Sequence, residues 1–231
     1  MVHDAAPGLY GSYASYKRYT TPRIGAKDIR RFDSDIWGPA ACAAEMRFLE
    51  LGCGTGAFLS YLAHKGVGRF TGIDHDPALA AVVPEAVRPH FACGDIWQAL
   101  AEREPASLDR VVALDVIEHF TAEDAQRLLA AIDRLLAPGG RVVLKMPNAA
   151  CPWGLQYQFG DLTHRTAFTP LSLRQLADAA GLDVLDVAPH RQGSRRRLVT
   201  DALVHRFLSW ALLTPPELWS ANLIAVLAKR A

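Results

Sequence analysis

The chain has 231 residues, half of them hydrophobic, and 25 basic against 24 acidic side chains leave a formal charge of +1. That length suits one large α/β domain, and the charge balance excludes a general attraction to nucleic acid. Cys42, Cys53, Cys93 and Cys151 lack C-x-x-C spacing, which points to reduced thiols and a cytoplasmic protein.

The first residues show no basic-then-apolar secretion pattern, and no apolar run reaches the roughly eighteen residues of a membrane span. From Arg47 onward, short apolar runs alternate with helical stretches. Arg47–Leu51 reads as a strand, followed by a glycine-rich turn and a helix over Ala57–Lys65. Phe70–Asp74 is the second strand, with a helix expected after Pro77; His90–Cys93 is the third, followed by a helix over Ile96–Glu104. Arg110–Leu114 is the fourth strand. Ala122–Leu136 has helical spacing and stops at Pro138-Gly139-Gly140, a helix exit. Arg141–Lys145 is the fifth strand, Leu171–Ala180 a helix ended by Gly181, Asp183–Ala188 the sixth strand and Leu223–Ala228 the last. Repeated βα units imply a Rossmann-like, doubly wound, mostly parallel sheet covered on both faces.

Two regions lie outside this rhythm. Residues 1–46 read as an N-terminal cap carrying Tyr10, Tyr13, Tyr16, Lys17, Arg18 and Tyr19, and residues 47–231 as one domain with an insertion at about 189–217. In the insertion, Arg195-Arg196-Arg197 precede Leu198–Leu213, which as a helix presents a wide apolar surface with Asp201, His205 and Ser209 as a thin polar stripe. Such a helix fits packing over the cleft, self-association, or a place in a membrane interface, which would put the protein at the inner membrane surface.

The sharpest motif is Leu49-Glu50-Leu51-Gly52-Cys53-Gly54-Thr55-Gly56, between a strand and a helix. Glycines let the backbone turn tightly and approach a ligand, and free N–H groups at the helix start face it. The glycines at 52, 54 and 56 do not follow the dinucleotide G-x-G-x-x-G pattern. Asp74, followed by His75, ends the second strand, where it would accept from both ribose hydroxyls. Asp76 precedes Pro77 and more naturally caps the next helix. Asp95 would accept from an adenine amino group or cap a helix, and Ile96 would pack on the ring.

Taken together, Glu50–Gly56, Gly72-Ile73-Asp74, Gly94-Asp95-Ile96, Leu108–His119 and Leu136–Leu144 resemble the successive motifs of class I S-adenosylmethionine-dependent methyltransferases. The resemblance covers about residues 47–188 and implies a seven-stranded sheet with an antiparallel last strand. It further implies that Glu50, Gly52, Cys53, Gly54 and Gly56 cradle the methionine end of S-adenosylmethionine. Asp74 with His75, Asp95 with Ile96, and Asp115 with Val116 would line the rest of the cofactor.

Methyl transfer to an alcohol needs a base or a metal near the methyl group. Asp115, Glu118 and His119 place three such groups within five residues, and the polar loop Phe159–Thr169, expected outside the core, adds His164 over the same end of the sheet. Asp115, Glu118, His119 and His164 would form an oxygen and nitrogen set for a divalent cation, magnesium or manganese; alternatively His119 or His164 is a metal-free base with Glu118 beside it. The first arrangement resembles the metal-assisted O-methyltransferases of ubiquinone synthesis and of small-RNA termini, although Asp115 is shorter than their usual Glu. The run Asp161-x-Thr163-His164 followed by Phe168-Thr169-Pro170-x-Ser172-Leu173 resembles bacterial methyltransferases of O-antigen and capsule glycans. It implies a saccharide hydroxyl as acceptor, with Trp153, Tyr157 and Phe159 available to stack on a sugar. The leading expectation is a sugar or glycan O-methyltransferase. The alternatives are a quinone, catechol or other small-molecule O-methyltransferase, and a non-catalytic cofactor-binding subunit.

Overall fold

The computed structural model describes residues 19–191 and 193–230. Of the cap residues named above, Tyr10, Tyr13, Tyr16, Lys17 and Arg18 lie outside them. Seven strands form one sheet: β1 (Arg47–Leu51), β2 (Arg69–Asp74), β3 (Phe91–Cys93), β4 (Leu108–Leu114), β5 (Leu136–Pro147), β6 (Leu182–His190) and β7 (Asn222–Lys229). Their order is β3-β2-β1-β4-β5-β7-β6. The first five run parallel, while β7 is antiparallel to both β5 and β6, as the family resemblance implies.

Helices cover both faces, so the central strands are buried on both sides and read as continuous apolar runs. One core joins Leu49, Leu51, Val111 and Ala113 to Leu128, Leu129 and Ile132 of α4 (Ala122–Leu135). That helix starts at Thr121, whose hydroxyl accepts from the Asp124 N–H at 3.1 Å, and turns its periodic apolar stripe onto the sheet. The other core packs Phe48, Val112 and Val143 against Phe58, Tyr61 and Leu62 of α2 (Ala57–His64). It also contains Phe32, Ile36 and Ala40. The described part of the N-terminal segment, α1 (Ala26–Phe32) and a π-turn (Asp33–Trp37), is therefore fused to the domain. Phe32 meets Phe58 at 5.3 Å and Tyr61 at 5.0 Å between ring centroids, and Asp33 accepts from the Tyr61 hydroxyl at 2.6 Å.

Several expectations need correction. After Pro77 there is no α-helix but two 3₁₀ turns, Pro77–Ala81 and Glu85–His90; Pro84 and Pro89 supply no N–H and disfavour helical backbone before them. The Pro138-Gly139-Gly140 run is not a simple exit loop. The helix ends at Leu135, β5 begins at once, and these residues bulge between the Leu108–Leu136 and Arg110–Arg141 pairs. The third helix, α3, spans only Ile96–Ala101. A short α5 (Pro152–Gln158), not expected from the sequence, precedes α6 (Pro170–Ala179). The inserted helix, α7, spans Arg195–Ala211 rather than 198–213, with the Ser194 hydroxyl capping Arg197 N–H at 3.4 Å.

Candidate active site

The chain winds outward from β1 to β2 and β3 on one side and from β4 to β5 on the other. A crevice therefore opens at the carboxyl ends of β1 and β4, where ligands bind in such sheets. Gly52, Gly54 and Gly56 line it with φ of +65°, +50° and +80°, a region favouring glycine. Gly52 is required twice over, because a Cβ there would stand 2.4 Å from Cγ2 of Val116. At Gly54 nothing lies within 4 Å of that position, so the backbone is open to a ligand. The Gly54 N–H donates to Oδ2 of buried Asp74 at 2.9 Å, tying the glycine turn to the end of β2.

Of the two acids at the end of β2, Asp76 takes the capping role expected of it. Asp74 also accepts from the Asp76 N–H at 3.2 Å and has the His75 ring 3.4 Å away. Asp76 caps the following turn by accepting from Ala78 N–H at 2.9 Å. Tyr19 hydrogen-bonds Asp76, and burial together with Asp76 and Asp74 pushes its hydroxyl pKa up, so the first described residue already reaches this end of the crevice. Asp95 caps α3 by accepting from Gln98 N–H at 3.0 Å, and Ile96 packs on the main core. Cys53 is buried, its thiol pushed far up by burial and then by Glu50 and Asp74.

Glu50 tests the fit of the cofactor. Its side chain is buried in β1, Oε2 has no hydrogen-bond partner, and burial followed by the charge of Asp74 raises its pKa well above the usual range. An orphaned buried carboxylate oxygen is costly unless a donor reaches it. The ammonium of a methionine-type ligand is such a donor, and the residues present fit S-adenosylmethionine.

On the acceptor side, β4 ends in a strained residue. Asp115 is a non-glycine at φ +58°, a conformation that needs support from its surroundings. Its N–H donates to the Lys145 carbonyl at 2.9 Å and its carboxylate ion-pairs with Lys145 Nζ. Of the four ligands expected together, the structure groups three. One ligand atom each from Glu118, His119 and His164 lies within 4.8 Å of the others. Asp115 faces Lys145 instead, because the left-handed turn separates it from the 3₁₀ turn Ile117–His119.

Glu118 is buried with neither carboxylate oxygen hydrogen-bonded, and burial, reinforced by the negative charge of Asp115, pushes its pKa up to about 8. His164 Nε2 is 3.9 Å from Glu118 Oε1, and the two imidazoles meet edge to face at 4.7 Å. Hydrogen-bond logic orients both rings. The Thr163 hydroxyl donates to Asp161 Oδ1 at 2.5 Å, so at its 3.0 Å contact with His119 it accepts from Nδ1–H. His164 Nδ1, 3.0 Å from the Gln158 carbonyl, can only donate there. A neutral imidazole that donates from Nδ1 in this way presents Nε2 as its acceptor atom, the outer-partner arrangement of metal-ligating histidines.

The loop carrying His164 is not outside the core as expected. Thr163 and Phe168 are buried, and Phe168 belongs to the main core. Arg165 and Thr166 N–H groups donate to the Glu118 carbonyl at 2.8 and 3.1 Å, and the Thr166 hydroxyl donates to the Phe120 carbonyl at 2.7 Å. The orienting parts, Asp161, Thr163 and the Gln158 carbonyl, and the Lys145 partner were not assigned from sequence. A backbone carbonyl leaves no residue signature, and the His119–Thr163 pair is separated by 44 positions.

Beyond this cluster lies a cavity of about 560 Å³, lined among others by Trp153, Tyr157, Arg197, His205, Trp219 and Asn222. A second, of about 170 Å³, is lined by Leu114, Asp115 and Lys145. His190 lines both.

The open sheet, the glycine turn and the acids beyond β1, β2 and β3 define a class I, Rossmann-like cofactor-binding domain. Residues 25–187 match the methyltransferase domain family; the chain belongs to that family, and S-adenosylmethionine is its cofactor. It is 33% identical over 155 residues to a ubiquinone biosynthesis O-methyltransferase of Paracidovorax citrulli, covering 60% of this chain and 64% of that protein. An S-adenosyl-L-methionine-dependent Diels-Alderase of Talaromyces variabilis is 32% identical over 134 residues, covering 53% of this chain and 45% of that one. The chain thus spans less than two thirds of the length of these curated relatives. Among solved structures, a methyltransferase of Archaeoglobus fulgidus superposes with a TM-score of 0.66 at 18% identity, covering 95% of this chain and 99% of its own. Magnesium protoporphyrin IX methyltransferase of Synechocystis, solved with S-adenosylhomocysteine, superposes with a TM-score of 0.61 at 14% identity over 96% of both chains.

Proposed function

We propose that this protein is an O-methyltransferase that moves the methyl group of S-adenosylmethionine to a hydroxyl of a catechol- or hydroquinone-type small molecule, with a divalent cation at Glu118, His119 and His164. The observation that carries this reading is that cluster: two orphaned carboxylate oxygens facing two imidazoles whose tautomers are already set. The fold alone does not choose the chemistry, since one relative is named for a cycloaddition. The ubiquinone-pathway names of other relatives favour a quinone-type acceptor over the glycan expected from the loop motif.

When bound, the cofactor supplies an electrophilic methyl on sulfur, and the cation makes a chelated hydroxyl more acidic. The chain's residues supply position and proton control. Asp74 holds the ribose end, and Glu50 accepts from the ammonium. Glu118, His119 and His164 would hold the cation and so orient the attacking oxygen. As the carbon–oxygen bond forms and the carbon–sulfur bond breaks, the hydroxyl proton passes to solvent. Two imidazoles with one carboxylate favour manganese over magnesium, which prefers all-oxygen sites.

The test is methyl transfer to catechols and to nucleotide sugars after chelation, with magnesium or manganese added back. Catechol methylation that chelation abolishes and manganese restores is expected. Indifference to both treatments would leave the metal-free histidine base. A sugar acceptor is a second reading, favoured by exposed Trp153, Tyr157 and Phe159 beside the crevice; methylation of nucleotide sugars with catechols ignored would install it. Cofactor binding without turnover on either class would point to a partner subunit.

A further inference from the structure

Helix α7 stands off the body of the protein. Of its described side chains none is fully buried; only Leu198, His205 and Leu208 are even half-buried. An isolated helix of this length is marginal in water, so one with so little packing is a candidate for completion by something outside the chain. Apart from Val204, which borders the cavity described below, its large exposed apolar residues are not scattered. At about 100° per residue, Val199, Leu203, Phe207 and Trp210 fall on one arc, and they are 60, 64, 59 and 81% exposed. Arg196 lies within that arc and Arg206 at its edge. Leu213, fully exposed, sits just beyond the helix end.

The opposite arc borders a cavity. Arg197, Leu198, Thr200, Asp201, Val204 and His205 wall the 560 Å³ cavity. Asp201, the one acid of the helix, is held there by His205 at 3.1 Å. Trp153 Nε1–H donates to His205 Nε2 at 3.1 Å, and Trp219 stacks on the same imidazole at 5.2 Å. His190 borders both this cavity and the smaller one beside Asp115 and Lys145.

We propose that the outer arc of α7 rests on an anionic phospholipid surface, and that its inner arc walls the path by which an amphipathic acceptor leaves that surface for the crevice. Lipid is favoured over a second copy of the chain by charge. The outer arc carries arginines and no acid, so self-association would set Arg196 and Arg206 against their own kind, whereas phosphate headgroups complement them. A helix with aliphatic, Phe and Trp side chains between arginines suits shallow insertion. Among the described residues no helix is long and apolar enough to cross a membrane, so α7 lies on the surface rather than spanning it. The acceptor path rests on the methyl-transfer reading above; the lipid contact does not.

The experiment is flotation of the full chain with phosphatidylglycerol-containing vesicles and with pure phosphatidylcholine vesicles, at low and high salt. Binding to the anionic vesicles that salt weakens is expected. Phe207→Glu with Trp210→Glu should reduce it about tenfold or more, and Arg196→Glu with Arg206→Glu should remove the preference for anionic lipid. Because these side chains are exposed, melting temperature and S-adenosylmethionine affinity should not move, and turnover of a water-soluble catechol should stay at the wild-type level. Failure of the wild type to float, or flotation of the Phe207→Glu/Trp210→Glu variant like wild type, would overturn the proposal. So would a wild-type dimer that ignores vesicles and becomes a monomer in that variant, since the occupant would then be a second copy. Loss of catechol turnover in every form, with flotation intact, would instead count against the methyl-transfer reading.

Discussion

Individual side chains at the crevice do separable jobs. Asp74 is buried and already bonded to the glycine turn, so Asp74→Ala should weaken S-adenosylmethionine binding at least tenfold by calorimetry; unchanged affinity would remove it from the cofactor site. Gly52→Ala would place a Cβ 2.4 Å from Val116 at φ +65°, and a loss of about 1–3 kcal/mol in denaturant unfolding is expected. Glu118→Gln and His164→Ala should leave cofactor affinity near wild type while lowering kcat by at least about a hundredfold. Thr163→Val removes the acceptor of His119 Nδ1–H and should cost roughly tenfold to a hundredfold in manganese affinity, read by titration of the metal against turnover.

The acids were legible in the sequence because their spacing from strand ends is regular. The exclusion of Asp115 from the cluster was not, since it depends on one left-handed φ and on Lys145 of the neighbouring strand.

Among the elements, β1 and β4 hold the crevice, and an ion pair ties their outer ends. Arg47 of β1 meets Asp109 of β4 at 2.9 Å. The hydrogen bond from Arg47, with the attraction of its charge, holds the Asp109 pKa below the usual carboxylate value. A carboxylate whose pKa is lower folded than unfolded stabilises the protein above the unfolded value, near pH 4, and that stability is lost as the pH falls through the folded value. Asp33, held down by Tyr61 and Lys65, contributes with the same sign. The melting temperature should therefore fall on acidification below about pH 4, and Asp109→Asn should flatten that fall; an identical acid slope in the variant would count against the pair. Strands and the long α4 were readable from periodicity. The turns after Pro77 and the bulge at Pro138–Gly140 were not, because local breakers mark where a helix stops without specifying the geometry of the next residues.

For the molecule as a whole, two cores on either side of one sheet make the crevice part of the cooperative unit. A cofactor bound there should stabilise the fold, by about 2.7 kcal/mol at a hundredfold excess over Kd. A rise in melting temperature with S-adenosylmethionine, absent in Asp74→Ala, would demonstrate it. The N-terminal segment behaves as part of this unit from Gly25 on, since Phe32, Ile36 and Ala40 are buried against α2 and β1. In sequence it reads as a separate cap, because a single short helix and a π-turn carry too few residues to show a period.

By itself the sequence determined the class of sheet, the glycine turn and the acids at the ends of β2 and β3, since strand alternation and backbone chirality leave few ways to arrange repeated βα units. Only the tertiary structure decided which groups meet. Glu118 and His164 lie 46 positions apart and are joined because the 160–169 loop hangs on the Glu118 and Phe120 carbonyls. The exposed side of α7 was likewise invisible in sequence. Which arc of a helix stays bare depends on what the rest of the chain leaves uncovered.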